Sequence, residues 1–382
     1  MRAAIENLPA SRIREVANAG IGRADVLAFW FGESDEPTPA FVRDAAAESL
    51  RQGETFYSHN LGLPELRAAI AAYASGLHRS IAAERIAVTS SGVNALMIAM
   101  QALAGAGDEV VVVVPVWPNL PAQPAILGAA VKRFALGVQG GAWTLDLDAL
   151  LATVTRRTRV LLVNAPNNPT GWTLTRPEQQ AILEHCRRTG TWIVADEVYE
   201  RIWFGDGPAA PSFADIAEPD DRLVIAHSFS KSFLMTGWRL GWLAVPESLI
   251  PAIGKLIEFN TSCAPVFVQR GALAALAQAD EFVPGLVERL RLCRDTLLPR
   301  LAGLPGVSVA VPQGGLYAFL RVAGEDDSLV FAKRLVAEAG LGLAPGSAFG
   351  DEAEGWLRWC FASRDPARLV QGVERLARGL GL

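Results

Sequence analysis

Short runs of β-branched apolar residues alternate with helical segments along the middle of this chain, and this alternation restricts the fold more than any other feature. The clearest strand candidates span residues 109–114, 159–163, 191–195 and 222–226, and residues 177–189 have helical spacing. Apolar strands separated by helices are typical of a parallel sheet that helices cover on both faces. The sequence therefore predicts an α/β fold with a large, mostly parallel central sheet flanked by helices.

The last part of the chain has a different pattern. Short strands there alternate with charged helices and with turns rich in glycine and proline. The predicted elements are a helix over 284–301, strands over 307–311 and 316–322, a helix over 329–339, a strand over 356–361 and a helix over 366–380. This mixture predicts a smaller α+β unit, and a chain of 382 residues suggests about two domains.

The bulk composition disfavours several classes of protein. A net charge of -5 gives no electrostatic reason to expect nucleic acid or an anionic membrane as a partner. No run approaches the roughly 20 apolar residues of a membrane span, and residues 1–13 mix charged with apolar side chains, unlike a secretory signal. The four cysteines are widely spaced, which predicts reduced buried thiols and no metal site. We expect a cytoplasmic protein.

The run Ser228-Phe229-Ser230-Lys231, with Arg239 eight residues after the lysine, is the strongest indication of chemistry. A lysine amine condenses with an aldehyde, and an arginine binds a phosphate dianion. Pyridoxal phosphate carries both groups on one ring, so a lysine and an arginine one short loop apart are suited to hold it.

Polar and aromatic residues follow the predicted strands at their carboxyl ends, where open parallel sheets bind ligands. Asp196 is the candidate partner of the cofactor's pyridine nitrogen, because a nearby carboxylate stabilises the protonated ring. Asn168 and Tyr199 can donate to the ring oxygen, and Trp117 can stack on the ring. Each has an ordinary structural explanation as well: a strand-end carboxylate, a turn asparagine or a core aromatic residue.

The cofactor's phosphate requires hydrogen-bond donors, and the amino end of the helix over 93–103 provides them with the help of its dipole. Ser91 can alternatively act only as a helix cap. The candidate phosphate ligands are Ser91, Gly92, Val93, Ser228, Ser230 and Arg239.

The order and spacing of these motifs resemble those of the class I/II aminotransferases, the aspartate-aminotransferase-like enzymes of pyridoxal phosphate fold type I. The strongest matches are Asn-Asn-Pro-Thr-Gly at 167–171, Asp-Glu-Val-Tyr at 196–199, and Ser-x-Ser-Lys with Gly-Trp-Arg-x-Gly at 228–241. The resemblance implies a small domain built from both chain ends. The implied domains are 1–45, an arm and part of the small domain; 46–288, the large cofactor-binding domain; and 289–382, the small C-terminal domain.

The resemblance also implies roles that the residues alone do not establish. Lys231 would form the Schiff base, with Asp196 and Tyr199 completing the catalytic set. Tyr57 would reach the phosphate of a neighbouring subunit in a homodimer. Arg358 would bind the substrate's α-carboxylate, a role that suits a planar guanidinium in an apolar strand. The implied substrate-binding residues are Gly32, Trp117, Asn168 and Arg358.

The predicted function is pyridoxal-phosphate-dependent transfer of the amino group of an L-amino acid to a 2-oxo acid by ping-pong kinetics. The donor can be aromatic, aliphatic or aspartate-like, and 2-oxoglutarate is the expected acceptor. The alternative is a β-lyase of cysteine-conjugate type, since the same anchors serve both reactions. A transcription regulator with this fold is disfavoured, because only a short segment precedes Gly32.

Overall fold

The computed structural model describes residues 1–6 and 8–382 of the chain. The strands are β1 (Leu27–Ala28), β2 (Ile86–Thr89), β3 (Glu109–Val114), β4 (Ala130–Ala135), β5 (Gly137–Gln139), β6 (Ala142–Thr144), β7 (Thr158–Asn164), β8 (Trp192–Asp196), β9 (Leu223–Ser228), β10 (Gly241–Ala244), β11 (Val307–Val309), β12 (Tyr317–Val322), β13 (Leu341–Gly342), β14 (Ala344–Pro345) and β15 (Trp356–Cys360). The helices are α1 (Ala3–Glu6), α2 (Arg12–Gly20), α3 (Ala40–Arg51), α4 (Pro64–Leu77), α5 (Gly92–Leu103), α6 (Asn119–Ile126), α7 (Leu147–Thr153), α8 (Arg176–Thr189), α9 (Ile250–Thr261), α10 (Val266–Ala277), α11 (Ala279–Ala302), α12 (Ser328–Arg334) and α13 (Pro366–Gly379).

The large sheet has seven strands in the order β2-β10-β9-β8-β7-β3-β4. Only β10 runs antiparallel to its neighbours. Alternate residues of β3 enter the two hydrophobic cores, Val111 and Val113 on one face and Val110 and Val112 on the other. Both faces are therefore buried beneath helices, and the predicted fold class is confirmed.

Local signals explain where α8 begins and ends. The side chain of Thr175 accepts from the backbone of Glu178, whose side chain bonds back to the backbone of Thr175, which makes a capping box. Gly190 ends the helix with a left-handed φ of 78°. These caps explain why the sequence predicts this helix to within one residue.

The small sheet, β11-β12-β15-β14, is antiparallel and comes from the last part of the chain. Strand β1 pairs in parallel with β13, so the two ends of the chain meet in this unit. The amide of Cys360 also donates to the carbonyl of Phe29 at 3.1 Å. As a result, the segment that leads to Gly32 runs beside β15, which carries Arg358. The domain bounds given above stay a prediction.

Two predicted helices differ in detail. Helix α11 begins at Ala279, five residues before the predicted start at Pro284. Pro284 lies in the second turn of the helix. The segment predicted over 329–339 is α12 followed by a π-helical turn over Leu335–Ala339. Among the described residues, no helix combines the length and the apolar character that crossing a membrane requires.

Candidate active site

Six strands of the large sheet end at one edge, and β10 begins there. Asn164 at the end of β7 pairs with Asp196 at the end of β8. Gly241 at the start of β10 pairs with Thr89 on one side and Ser228 on the other. The lysine loop, Asp196 and the amino end of α5 therefore lie along one edge of the sheet.

Lys231 extends from this edge toward the small domain. Its Nζ donates to the carbonyl oxygen of Gly32 at 2.6 Å and lies 5.7 Å from the ring centre of Tyr199. Burial lowers the pKa of Lys231 to about 8. Compared with an ordinary lysine, far more of this amine is uncharged near neutral pH, as a nucleophile or a general base requires.

Asp196 is a buried carboxylate with few hydrogen bonds or charges nearby to offset the cost of its burial. Its side chain is almost wholly covered, and Oδ1 accepts a long bond of 3.4 Å from the amide of Val198. Burial raises the pKa of Asp196 to about 7, although that amide and the charge of Lys231 act in the opposite direction. A cationic ligand beside this carboxylate would stabilise its ionised form.

Asn164 connects two of these groups and was not identified from the sequence. Its Nδ2 donates to the carbonyl of Asp196 at 2.9 Å, and its Oδ1 accepts from the amide of Asn168 at 2.7 Å. Asn164 thereby fixes the loop after β7 against the end of β8. An amide side chain in the last position of a buried strand was the available signal.

The amino end of α5 forms a tightly packed cradle. Ser91 caps the helix by accepting from the amide of Asn94 at 3.0 Å, and it holds a φ of 135° that non-glycine residues rarely adopt. A Cβ on Gly241 would lie 2.6 Å from the nitrogen of Gly92 and 2.7 Å from the carbonyl carbon of Ser91. Only glycine at 241 lets the backbones approach this closely.

The remaining candidate phosphate ligands lie around this cradle. The hydroxyl of Ser228 accepts from the amide of Ser230 at 3.1 Å, and both side chains are buried. Arg239 is an exposed residue with a left-handed φ of 55°, and its Nη1 donates to the carbonyl of Thr236 at 2.6 Å. The carbonyl of Val93, in the first turn of α5, accepts a hydrogen bond from the side chain of Gln123 in α6.

Arg358 is buried between aromatic rings, 2% exposed. Its guanidinium lies 4.5 Å from the ring centre of Tyr317 and 4.9 Å from that of Phe349. Nη1 donates to Oδ1 of Asn168 at 3.0 Å, and Nη2 donates to the carbonyl of Trp30. Among the described residues, Nε of Arg358 has no hydrogen-bond partner. A buried, incompletely satisfied guanidinium is a strong site for a carboxylate.

Tyr317, also absent from the sequence prediction, joins the two halves of the site. Its hydroxyl lies 2.7 Å from the hydroxyl of Tyr199. A Cβ on Gly32 would lie 2.1 Å from the same Tyr317 oxygen, so residue 32 must be glycine for the tyrosine to be there. Nothing in the sequence marks Tyr317, because it reads as an ordinary strand aromatic.

A buried network beneath the site holds the loop after β8. His78 bridges Glu200 at 2.9 Å and Asp215 at 2.8 Å. Burial opposes the charge on His78, but these two carboxylates raise its pKa to about 10, so it is a cation near neutral pH. His227, to which the sequence assigns no role, stacks on Trp242 with ring centres 4.8 Å apart. This packing fixes the backbone that carries Tyr199 and Asp196.

Two sequence candidates lie at the margins. Trp117 is half-buried after β3 and packs on the second core. Tyr57 is 89% exposed on the surface of this chain. The indole of Trp30 is a core group that packs against Gly20 and Gly342. The candidates other than Trp117 and Tyr57 therefore lie on one rim or on the elements that support it.

Comparisons with known proteins identify the family and the fold of this chain. A family model described as aminotransferase class I and II matches residues 24–376. A probable aspartate/prephenate aminotransferase of Aquifex aeolicus is 33% identical over 97% of this chain and 94% of its own. Aromatic-amino-acid aminotransferase 2 of Thermococcus litoralis is 31% identical over 98% of this chain and 97% of its own. The structure of Thermus thermophilus aspartate aminotransferase with maleate superposes with a TM-score of 0.90 at 30% identity, over 99% of both chains. That of N-succinyldiaminopimelate aminotransferase from Mycobacterium tuberculosis gives 0.93 at 28% identity, over 99% of this chain and 100% of that one.

Proposed function

The chain belongs to the class I and II aminotransferases, and we propose that it transfers the amino group of an L-amino acid to 2-oxoglutarate in a ping-pong cycle, with pyridoxal phosphate bound covalently to Lys231. One observation carries the proposal. A lysine with a lowered pKa, a buried carboxylate, an anion cradle and a buried arginine meet at one edge of the sheet.

The residues present fit pyridoxal phosphate. The cradle at Ser91 and Gly92 offers helix-end amides to the phosphate, and the close approach at Gly241 brings the lysine loop beside it. Asp196 is available to the protonated pyridine nitrogen, and Lys231 to the aldehyde. When bound, the cofactor supplies an electron sink for the substrate's α-carbon and a temporary carrier of the amino group.

Lys231 serves as the proton carrier once the substrate's amine replaces its own in the covalent bond. With its pKa lowered to about 8 by burial, the freed amine of Lys231 would accept the α-proton of the substrate as a base and donate it, as an acid, to the cofactor carbon that carries the amino group. The carbonyl of Gly32, now 2.6 Å from this nitrogen, keeps the amine oriented toward the small domain.

Arg358 orients the substrate for that proton transfer. A carboxylate can take the Nε donor that has no partner among the described residues, and Asn168 holds Nη1 from the other side. Binding of the substrate's carboxylate to Arg358 positions the α-carbon near Lys231. This positioning lowers the barrier to the proton transfer. The aromatic rings beside Arg358 exclude water and strengthen the ion pair.

A homodimer in the cytoplasm completes the proposal, with Tyr57 reaching the phosphate of the neighbouring subunit. Its support is the exposure of large apolar side chains on this chain: Phe56 is 85% exposed, and Tyr57 and Phe259 are each 89% exposed. Exposed aromatic residues are typical of an interface, where they would be covered.

A panel of amino donors, assayed against 2-oxoglutarate with added cofactor, tests the function. We expect glutamate formation with aspartate, an aromatic or an aliphatic donor, and none in the Lys231→Ala protein, which should still bind the cofactor without a covalent bond. Release of pyruvate and ammonia from a cysteine conjugate, without glutamate formation, would contradict transamination and indicate the lyase.

A further inference from the structure

Tyr317 is held at the junction of the two domains by backbone contacts. The amide of Gly315 donates to the carbonyl of Ile202 at 2.8 Å, and Gly315 has a left-handed φ of 82°. The amide of Gln313 donates to the carbonyl of Gly171 at 2.9 Å. The turn before β12 is thus fixed to the loops after β7 and β8, and Tyr317 follows two residues later.

The two tyrosines form a buried pair with a defined geometry. The hydroxyls of Tyr199 and Tyr317 are 2.7 Å apart, and their rings meet edge to face with centres at 5.7 Å. Burial raises the pKa of Tyr317 to about 12 and that of Tyr199 well above its ordinary value. Both hydroxyls therefore keep their protons, and only one proton is needed for the bond between them.

The direction of that bond decides what Tyr199 can do. If Tyr199 donates to Tyr317, its proton is unavailable to any other acceptor. If Tyr317 donates, the proton of Tyr199 is free for a second acceptor, and the donated bond polarises the Tyr199 hydroxyl and makes it a stronger donor.

We propose that Tyr317 is a positioning residue that donates to the Tyr199 oxygen, so that the Tyr199 proton is directed to the ring oxygen of bound pyridoxal phosphate. The inference rests on the proposed function, because it needs the cofactor beside Tyr199. It also gives a reason for the absence of a side chain at residue 32, where a Cβ would occupy the position of the Tyr317 hydroxyl.

A pH titration of the visible absorption of the cofactor-loaded protein tests the proposal. A hydrogen bond to the ring oxygen favours its ionised form, so weakening that bond raises the pH midpoint of the spectral change. The Tyr317→Phe variant keeps the aromatic ring under Arg358. We expect it to raise the midpoint by about 0.5 pH units, which corresponds to part of the free energy of one neutral hydrogen bond. The same change in a Tyr199→Phe protein should add nothing.

Tyr73→Phe is the control, since the hydroxyl of this half-buried tyrosine accepts from Nη1 of Arg201 at 3.1 Å and takes no part in the Tyr199–Tyr317 pair. Tyr73→Phe should not shift the pH midpoint of the spectral change, even if it lowers the melting temperature. An unchanged midpoint in Tyr317→Phe, an equal shift in Tyr73→Phe, or the same shift in the Tyr199→Phe background would overturn the proposal. If Tyr317→Phe is insoluble, Tyr317→His, which can still donate, should give a midpoint closer to the parent than Tyr317→Leu does. A parent protein that develops no visible band would instead defeat the proposed function.

Discussion

Replacing Asp196 by asparagine should stabilise the protein without cofactor while impairing it as an enzyme. Asp196 is nearly fully buried, and its one local hydrogen bond, from Val198, is long at 3.4 Å. The ionised carboxylate of Asp196 therefore destabilises the folded state unless a cationic group binds beside it. Asparagine has the same shape and carries no charge, so it removes this penalty and also removes the proposed partner of the pyridine nitrogen.

The size of the effect follows from the pKa. Burial raises the pKa of Asp196 from 3.8 to about 7. A pKa raised by folding means that stability is greatest where the group is protonated in both states, below 3.8, and falls as the pH rises to about 7. That rise corresponds to about 4 kcal/mol in the fully ionised limit, as an upper estimate.

Urea unfolding of the two cofactor-free proteins at pH 5 and pH 8 measures this dependence. The advantage of Asp196→Asn over the parent should widen by about 2 to 3 kcal/mol between the two pH values. Asp326→Asn is the matched control, because that carboxylate is exposed and should show no such widening. Adding pyridoxal phosphate should stabilise the parent more than the variant. A difference that does not change with pH would refute the reasoning that burial controls this carboxylate.

Three further changes test the geometry of the site. Gly32→Ala should reduce kcat/KM by tenfold or more in steady-state assays, because the added Cβ displaces the Tyr317 hydroxyl, whereas Gly76→Ala, with open space around it and an ordinary φ, should leave kcat/KM unchanged. Gly241→Ala should weaken cofactor binding in a fluorescence titration and cost about 1 to 3 kcal/mol of stability, since its Cβ meets backbone atoms that cannot move aside. Arg358→Lys should raise the KM for both amino and 2-oxo acids at least tenfold with a smaller change in kcat, and an unchanged KM would place the carboxylate elsewhere.

The main elements of the large domain could be predicted because their signals are local. Strand β3 is a run of five valines after Glu109, and α8 carries its own caps. The sequence does not predict strands β2, β4 and β10 of the large sheet. Strands β2 and β10 have only four residues each, and each owes its strand conformation to pairing with a partner far away in the chain.

The candidate site could also be predicted, since Lys231, Asp196 and Asn168 occur in short motifs whose residue types match the needs of the proposed cofactor. Their convergence follows from the rule that parallel strands present their carboxyl ends at one edge. These inferences require only the order of residues along the chain and the parallel direction of the predicted strands.

The contacts that join the two domains were decided by the tertiary structure alone. Tyr317 meets Tyr199 across 118 positions of sequence, and Arg358 meets Asn168 across 190. Such pairs depend on how the small domain packs against the large one, and on glycine at 32 leaving room for a hydroxyl. Neither condition can be recognised from the local sequence, because a tyrosine in a strand and a glycine in a loop are compatible with many different tertiary arrangements. The sequence by itself determined which groups are candidates for the chemistry, and only the packing of the two domains decided which neighbours surround them.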